Sequence, residues 1–426
     1  MLTENDFIVE KKDGAYFILY KKTLVYKKLN ENNFKIFKEN LDKQGRISLH
    51  GNIEFENYVD NIFARDIDDK LKEKYDEKKL SKLELILNNS CNLDCKYCYA
   101  SGGNYGIENN FMKPQEAINY IDDLLASGID EINVVMFFGG EPLLSFNTIV
   151  AVVKKFSELF KNGKIGKIPK YTIVTNGTLI NEKIARFFYE EDFQVTVSID
   201  GNPYLHNYLR PYKNGNPSFD DVDKAINLLQ KYNVNIGILE ITYTKFHENN
   251  NISKKDLEDY FKNRYGDISL YITNCSGDNI YAIDVNKFVE NDIIYEKNVK
   301  LSVLRKLLGK GNYKICCDAG SGSFAISPTG TIIPCHFFMG HNEYLMGQLP
   351  KTNLANKETL DINYIFRNTD KRISDDCSDC WIRDLCAECP ASILIQNKEK
   401  INESCSIKRI KREKIIRDFI RNGDIY

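Results

Sequence analysis

The sequence predicts an α/β protein built around a parallel sheet. Across the middle of the chain, short strand-like apolar runs alternate with amphipathic helical ones. Glycine and proline signals punctuate the alternation, and the residues that carry chemistry follow the apolar runs. Such an order makes a parallel sheet, open or closed into a barrel, with its site at the C-terminal ends of the strands.

The runs are 83–87, 134–138, 171–174, 195–199, 236–241 and 268–272, enough for six β/α units. The helix expected at 113–127 has Pro114 in its first turn, places Ala117, Ile118, Ile121, Leu124 and Leu125 on one face, and is followed by Gly128. Val222, Ala225, Ile226 and Leu229 repeat that spacing. Ahead of this region, alternation at 7–9, 16–20 and 24–26 predicts a small antiparallel sheet, and 30–41 a helix. The charged run 66–82 is expected to be a solvated connector. Beyond Cys275 the rhythm fades into a turn-rich, cysteine-rich stretch, closed by a helix at 407–421 that is basic on one face. The expected division is an N-terminal α+β segment (1–81), a barrel-like core (82–275), a bridging region (276–315), a cysteine-rich domain (316–408) and a C-terminal helix (409–426).

At 426 residues the chain is long enough for two or three domains. Its 58 basic and 60 acidic side chains leave a net charge of -2, which implies neither a nucleic acid partner nor an acidic surface. No apolar run approaches the roughly eighteen residues of a membrane span, and the N-terminus lacks the basic-then-apolar order of a signal peptide, so a cytoplasmic protein is expected. In such a chain twelve cysteines point to metal or redox chemistry. They also cluster: three at 91–98, eight at 316–405, and Cys275 alone.

Cys91, Cys95 and Cys98 place three thiols on one short loop after the first strand, enough to hold three irons of a cubane and leave a fourth open. A lone trio is a poor structural zinc site, which wants four tetrahedral ligands. Gly139-Gly140-Glu141-Pro142 follows the second strand, Asn176-Gly177 the third, and Asp200-Gly201 the fourth. Each taken alone reads equally well as a turn. Near the C-terminus, Cys377-x2-Cys380 and Cys386-x2-Cys389 would, by spacing alone, be a zinc ribbon.

The CxxxCxxC loop, with aromatic Tyr97 before its last cysteine, resembles the radical S-adenosylmethionine (SAM) superfamily. The resemblance covers about residues 83–275 and implies a partial (β/α)6 TIM-type barrel. It also implies a 4Fe-4S cluster on Cys91, Cys95 and Cys98 whose open iron is chelated by SAM, and reductive cleavage of SAM to a 5'-deoxyadenosyl radical. Carried over by position, Gly139, Gly140 and Glu141 correspond to the glycine-rich motif that meets the cofactor's amino group. Ser198 and Arg210 would contact its carboxylate or ribose, Tyr97 would lie beside the adenine, and Asn176 would be cofactor-proximal.

The cysteines beyond residue 316 are similar to the SPASM extension, which carries two auxiliary 4Fe-4S clusters, making three in all. By that pattern Cys377, Cys380, Cys386 and Cys405 hold one cluster, and Cys317, Cys335 and Cys389 the other. The last CxxC pair has two intervening residues where the pattern has three, and no cysteine closely follows Cys317. The second set therefore either keeps an open iron, able to bind a substrate thiolate, or is completed by Cys316 or water. His336 follows Cys335 where the similar sulfatase-maturating enzymes carry an aspartate proposed as the general base, so His336 is a candidate catalytic base beside its plainer reading as a packed imidazole. The N-terminal segment weakly resembles the peptide-recognition element of ribosomal-peptide maturases. The implied partners are a cysteine-containing precursor peptide and an electron donor such as flavodoxin or ferredoxin, with no nucleic acid and no membrane. The expected function is formation of a Cys sulfur-to-carbon thioether in a ribosomal peptide. Its alternatives are oxidation of a sulfatase cysteine or serine to formylglycine, and a zinc-binding interaction protein without catalysis.

Overall fold

A computed structural model of the chain describes residues 2–44, 59, 78–277, 279–283, 303–304, 307, 318–320, 322–349, 380–382, 385–386, 389, 391, 395 and 398–422. Two compact units divide it. One comprises Met1–Lys74, Phe288–Cys317 and Lys371–Tyr426, the other Tyr75–Lys287 and Asp318–Asp370. The expected connector at 66–82 lies outside the described residues up to 77, and Lys82 opens a strand.

The larger unit carries the expected α/β architecture. Its strands are β4 (Lys79–Leu80), β5 (Lys82–Ile86), β6 (Glu131–Ile132), β7 (Val134–Phe138), β8 (Lys170–Thr175), β9 (Gln194–Ser198), β10 (Asn235–Tyr243), β11 (Leu270–Asn274), β12 (Ser323–Ile326), β13 (Thr331–Ile333) and β14 (Gly347–Gln348). Nine form one sheet in the order β11-β10-β9-β8-β7-β5-β12-β13-β14, while β4 and β6 pair separately. The six from β11 to β5 run parallel, and they are the six apolar runs of the sequence. The sheet ends at β11 and β14 without closing, as a partial barrel does.

Beyond β5 the sheet gains strands from past residue 318, where the sequence rhythm had faded. β12 pairs parallel with β5, and β13 and β14 continue antiparallel. These strands are only two to four residues long, too short for a legible alternation.

The helices of this unit are α2 (Pro114–Ala126), α3 (Phe146–Lys161), α4 (Glu182–Glu190), α5 (Pro203–Leu209), α6 (Phe219–Lys231), α7 (Lys245–Asn249) and α8 (Lys254–Tyr265). In α2, Pro114 occupies the first turn, and the backbone N–H of Lys113 donates to Glu116 Oε2 at 2.8 Å, a side-chain cap. Its buried face is Ala117, Tyr120, Ile121 and Leu124. In α6, Val222, Ala225, Ile226 and Leu229 are buried as their spacing predicted. The two-residue strand period sorts side chains between faces. Val135 and Phe137 are fully buried on one face of β7, and the Phe137 ring stacks on Phe193 at 5.7 Å. Met136 and Phe138 point the other way, into a cavity.

The smaller unit holds the antiparallel meander β1 (Phe7–Lys12), β2 (Ala15–Tyr20) and β3 (Val25–Leu29), followed by α1 (Glu31–Gln44) and, at the other end of the chain, α9 (Lys398–Asn422). Asp13 and Gly14, with φ of 48° and 75°, make the tight turn between β1 and β2. Alternation again assigns faces: Ile8, Phe17 and Leu19 join a core with Ile415, Ile416 and Phe419 of α9. Phe7, Ile18 and Tyr20 form another with Phe37 and Leu41 of α1. The basic face of α9 is partly engaged, since Arg417 and Arg421 both pair with Glu10, at 2.7 and 3.0 Å. α9 also begins earlier than 407, because 398–406 is helix-forming without an apolar period.

Candidate active site

The three-cysteine loop leaves the C-terminal end of β5 and is tied down on both sides. The backbone N–H groups of Asp94 and Lys96 donate to the carbonyls of Pro211 and Leu209 at 2.8 and 2.9 Å. Asn92 bridges to the next strand ends: its Nδ2 donates to Thr178 Oγ1 at 2.8 Å, and its Oδ1 accepts from Asn176 Nδ2 at 2.9 Å. Asn176 Nδ2 also lies 3.7 Å from Cys91 Sγ. Asn176 thus clamps the cysteine loop while lining the same cavity.

Cys91, Cys95 and Cys98 are partly buried along a cavity of about 550 Å3. Burial pushes the Cys91 thiol up to about 11, with the nearby Glu141 charge adding to it, and the Cys95 thiol up to about 12. As free thiols these two are protonated at neutral pH, so a metal must displace their protons. Among the described residues no three His, Cys, Asp or Glu side chains converge on one point as ligands of a single ion. A cubane places each thiolate on a different iron, so three spaced thiols on one loop fit a cluster better than an isolated zinc ion.

Gly139 and Gly140 are required by backbone proximity. A Cβ at Gly139, where φ is 154°, would lie 2.5 Å from the carbonyl oxygen of Asn88, and one at Gly140 would lie 2.2 Å from that of Ser90. The two loops are instead joined directly: Gly140 N–H donates to Asn88 O at 3.0 Å and Glu141 N–H to Ser90 O at 2.8 Å. The buried Glu141 carboxylate faces inward to the protein. Oε1 accepts from Leu143 N–H at 3.0 Å and Thr175 Oγ1 at 2.7 Å, and Oε2 from Asn176 N–H at 2.8 Å. Burial nevertheless holds its carboxyl up near 6 against those bonds.

Asp200, fully buried after β9, is the hub of a second network that the sequence reading registered only as a strand end. Its Oδ2 accepts from Arg210 Nε at 2.8 Å and from the Tyr97 hydroxyl, and its Oδ1 from Thr242 N–H at 3.0 Å. Burial would raise its pKa, but the Arg210 guanidinium and the other donors hold it below the ordinary carboxylate range. Arg210 also lies over the Tyr97 ring at 5.5 Å. Two residues expected to contact the cofactor therefore take an internal carboxylate as partner, while still lining the cavity. Ser198 lines it as well.

His206 is buried in α5. Its Nδ1 accepts from Asp200 N–H at 3.2 Å, and its Nε2–H donates to Ser218 Oγ at 3.1 Å. Burial lowers its pKa to about 3, so the ring is neutral. His247 Nε2–H likewise donates to Asp200 O at 2.7 Å.

His336 lines the cavity, with its ring stacked on Phe138 at 4.2 Å. Its Nδ1 lies 2.6 Å from Oε1 of Glu84, a fully buried carboxylate on β5. Burial would raise Glu84, and the His336 charge and hydrogen bond bring it below the ordinary value. The sequence hint to Glu84 was an acid inside an apolar strand, Leu83-Glu84-Leu85; Glu240, in Leu239-Glu240-Ile241 of β10, is a second, and it also lines the cavity. Cys275, at the end of β11, is buried and lies 3.7 Å from Asn279 Oδ1.

Of the expected auxiliary-cluster ligands, Cys317 and Cys377 lie outside the described residues, as does Cys316. Cys335 belongs to the larger unit, and Cys380, Cys386, Cys389 and Cys405 to the smaller, where Cys380 and Cys386 pack beside Ile382 and Leu385. No described helix is long and apolar enough to cross a membrane.

The radical SAM superfamily model matches residues 85–258, and the model of SPASM, an iron-sulfur cluster-binding domain, matches residues 316–381. The chain belongs to the radical SAM superfamily. An uncharacterized protein of Methanocaldococcus jannaschii is 42% identical over 39% of this chain and 54% of its own length. The radical SAM cyclopropyl synthase TigE of Paramaledivibacter caminithermalis is 28% identical over 62% of this chain and 59% of its own. In these two relatives the match thus spans little more than half of the protein. A cysteine-type anaerobic sulfatase-maturating enzyme of Clostridium perfringens is 26% identical over 71% of this chain and 87% of its own. Among solved structures, Streptococcus suis SuiB bound to its precursor peptide SuiA covers 93% of this chain with a TM-score of 0.51 at 16% identity, a likeness of fold. The radical SAM match runs from β5 through β10 of the parallel sheet, and the SPASM match follows it in the cysteine-rich region.

Proposed function

We propose that this chain is a SAM-dependent enzyme that oxidatively modifies a residue of a peptide or protein. The observation that carries the proposal is the cysteine loop, clamped at the strand ends and bordering a cavity that also receives His336. A 4Fe-4S cluster on that loop supplies one-electron reductive cleavage of SAM. The chain's own residues do the rest. Asn92 and Asn176 fix the loop, Asp200 holds Arg210 and Tyr97 at the cavity wall, and Phe138 and Glu84 fix the His336 ring. With Nδ1 engaged by Glu84, Nε2 is the ring nitrogen left to exchange a proton with a substrate.

For the chemistry, the long match to the sulfatase-maturating enzyme favours oxidation of a cysteine or serine to formylglycine. Thioether formation is the second reading, supported by the likeness of fold to a precursor-peptide complex and by a histidine where an aspartate would stand. Both remove two electrons and two protons from the substrate, and formylglycine formation from cysteine then exchanges sulfur for oxygen by hydrolysis. Two auxiliary clusters on the SPASM cysteines, three clusters in total, an external electron donor such as flavodoxin or ferredoxin, and leader recognition by β1–β3 belong to the same proposal. On the meander, Arg417 Nη1 donates to the Val9 carbonyl of β1 at 3.0 Å, so β3 is the edge to which a peptide strand would add.

The discriminating experiment incubates anaerobically reconstituted enzyme with SAM, a reductant, and either a sulfatase peptide or a short cysteine-containing peptide encoded beside its gene. A hydrazide-reactive aldehyde identifies formylglycine; loss of two hydrogens with a thiol no longer alkylatable identifies a thioether. SAM cleavage that leaves every such peptide unchanged would sink the peptide reading.

A further inference from the structure

One wall of the cavity is aromatic, and its rings come from segments distant in the chain. Phe138 of β7 stacks on His336 at 4.2 Å, His336 meets Phe337 at 4.4 Å, Phe337 meets Tyr99 at 5.3 Å, and Tyr99 stands edge-on to Tyr105 at 6.0 Å. All of these rings line the cavity. The segments that carry Tyr105 and Phe337 are packed together, since a Cβ at Gly340 would lie 3.0 Å from the Tyr105 carbonyl oxygen. Tyr99 and Phe337 are nevertheless 59% and 43% exposed. Scattered surface rings are ordinary, but touching rings beside a cavity mark a contact surface. Next to them the Tyr105 hydroxyl is buried. Among the described residues it meets no partner in hydrogen-bond geometry, the nearby Tyr99 hydroxyl included.

These features fit a neutral aromatic guest. Rings attract other rings beyond the area they bury, and they also attract cations. The acid behind this wall decides for the neutral guest: Glu84 is fully buried and already has His336 at 2.6 Å and Lys82 at 3.8 Å, so it presents no free charge to a cation. A buried hydroxyl without a partner is costly, and a guest can supply one to Tyr105 once the exposed Tyr99 ring turns aside. An extended peptide advances about 3.3 Å per residue, so the wall reaches side chains one to three residues from the one that faces His336.

We infer that Tyr99, Tyr105 and Phe337 form a recognition subsite for an aromatic side chain of the substrate, close in sequence to the residue that is modified. This deepens the peptide-modifying reading and rests on it. The test selects binders from a library of short peptides with a fixed central cysteine and randomised flanks, on reconstituted holoenzyme with SAM and without reductant. Phenylalanine, tyrosine or tryptophan should be enriched within three positions of the cysteine. Synthetic peptides should bind about 3- to 10-fold more tightly with the aromatic residue there than with leucine. The Tyr99→Ser, Phe337→Ser double variant, which truncates only exposed rings, should keep the wild-type iron content and lose that preference to within twofold. Tyr105→Phe should bind the aromatic peptide about 3- to 10-fold more weakly. Its thermal midpoint should not fall, because no hydrogen bond within the protein is removed. Enrichment of lysine, arginine or aliphatic residues in place of aromatic ones, a preference that survives the double variant, or unchanged binding in Tyr105→Phe would each overturn the inference. Wild-type enzyme that retains cysteine peptides no better than a matched library without cysteine would instead defeat the peptide reading itself.

Discussion

At the scale of single residues, buried neutral histidines give the site a definite pH signature. His206 has its pKa lowered to about 3 by burial, whereas an unfolded histidine titrates near 6.5. Between those values the unfolded chain binds a proton that the folded chain does not, so stability falls as pH drops below about 6.5. At pH 5 this amounts to about 2 kcal/mol. Glu141, raised to about 6, acts in the opposite sense over a narrower range. Thermal melts at pH 7 and pH 5 should therefore show a smaller acid loss in His206→Gln than in wild type; equal losses would contradict the neutral buried ring. None of this was legible in the sequence. His206 stands in Tyr204-Leu205-His206-Asn207, where nothing local says that its ring will lie between the Asp200 backbone and Ser218. The cysteine triad was legible because its ligands are adjacent in the chain. Glu84 and His336, 252 positions apart, become partners only through the pairing of β5 with β12.

At the scale of elements, the six parallel strands and the buried faces of α2 and α6 were readable because each has a full apolar period. The short strands β12 to β14 were not, and they are what bring the segment bearing His336 beside β5. The glycine motif is legible in the sequence, and the fold adds a packing role to it. Gly139 and Gly140 let the loop after β7 lie directly against residues 88–90, immediately before Cys91. Gly140→Ala should cost about 1–3 kcal/mol in denaturant unfolding, as overpacking does, because the obstruction is backbone and cannot rotate away. It should also lower iron loading of the cysteine loop. Wild-type stability with full loading would show that the two loops can separate freely.

At the scale of the whole molecule, family membership, the parallel sheet and the clamped three-cysteine loop meet in one claim, that this chain cleaves SAM through a cluster on Cys91, Cys95 and Cys98. The most direct test combines metal and sulfide analysis of anaerobically reconstituted protein with detection of 5'-deoxyadenosine under a strong reductant. Wild type should carry about twelve irons if all three clusters assemble, and the Cys91→Ala, Cys95→Ala, Cys98→Ala triple variant about four fewer. Wild type should release 5'-deoxyadenosine and the triple variant none. Zinc in place of iron, or wild type that yields no 5'-deoxyadenosine, would contradict the claim.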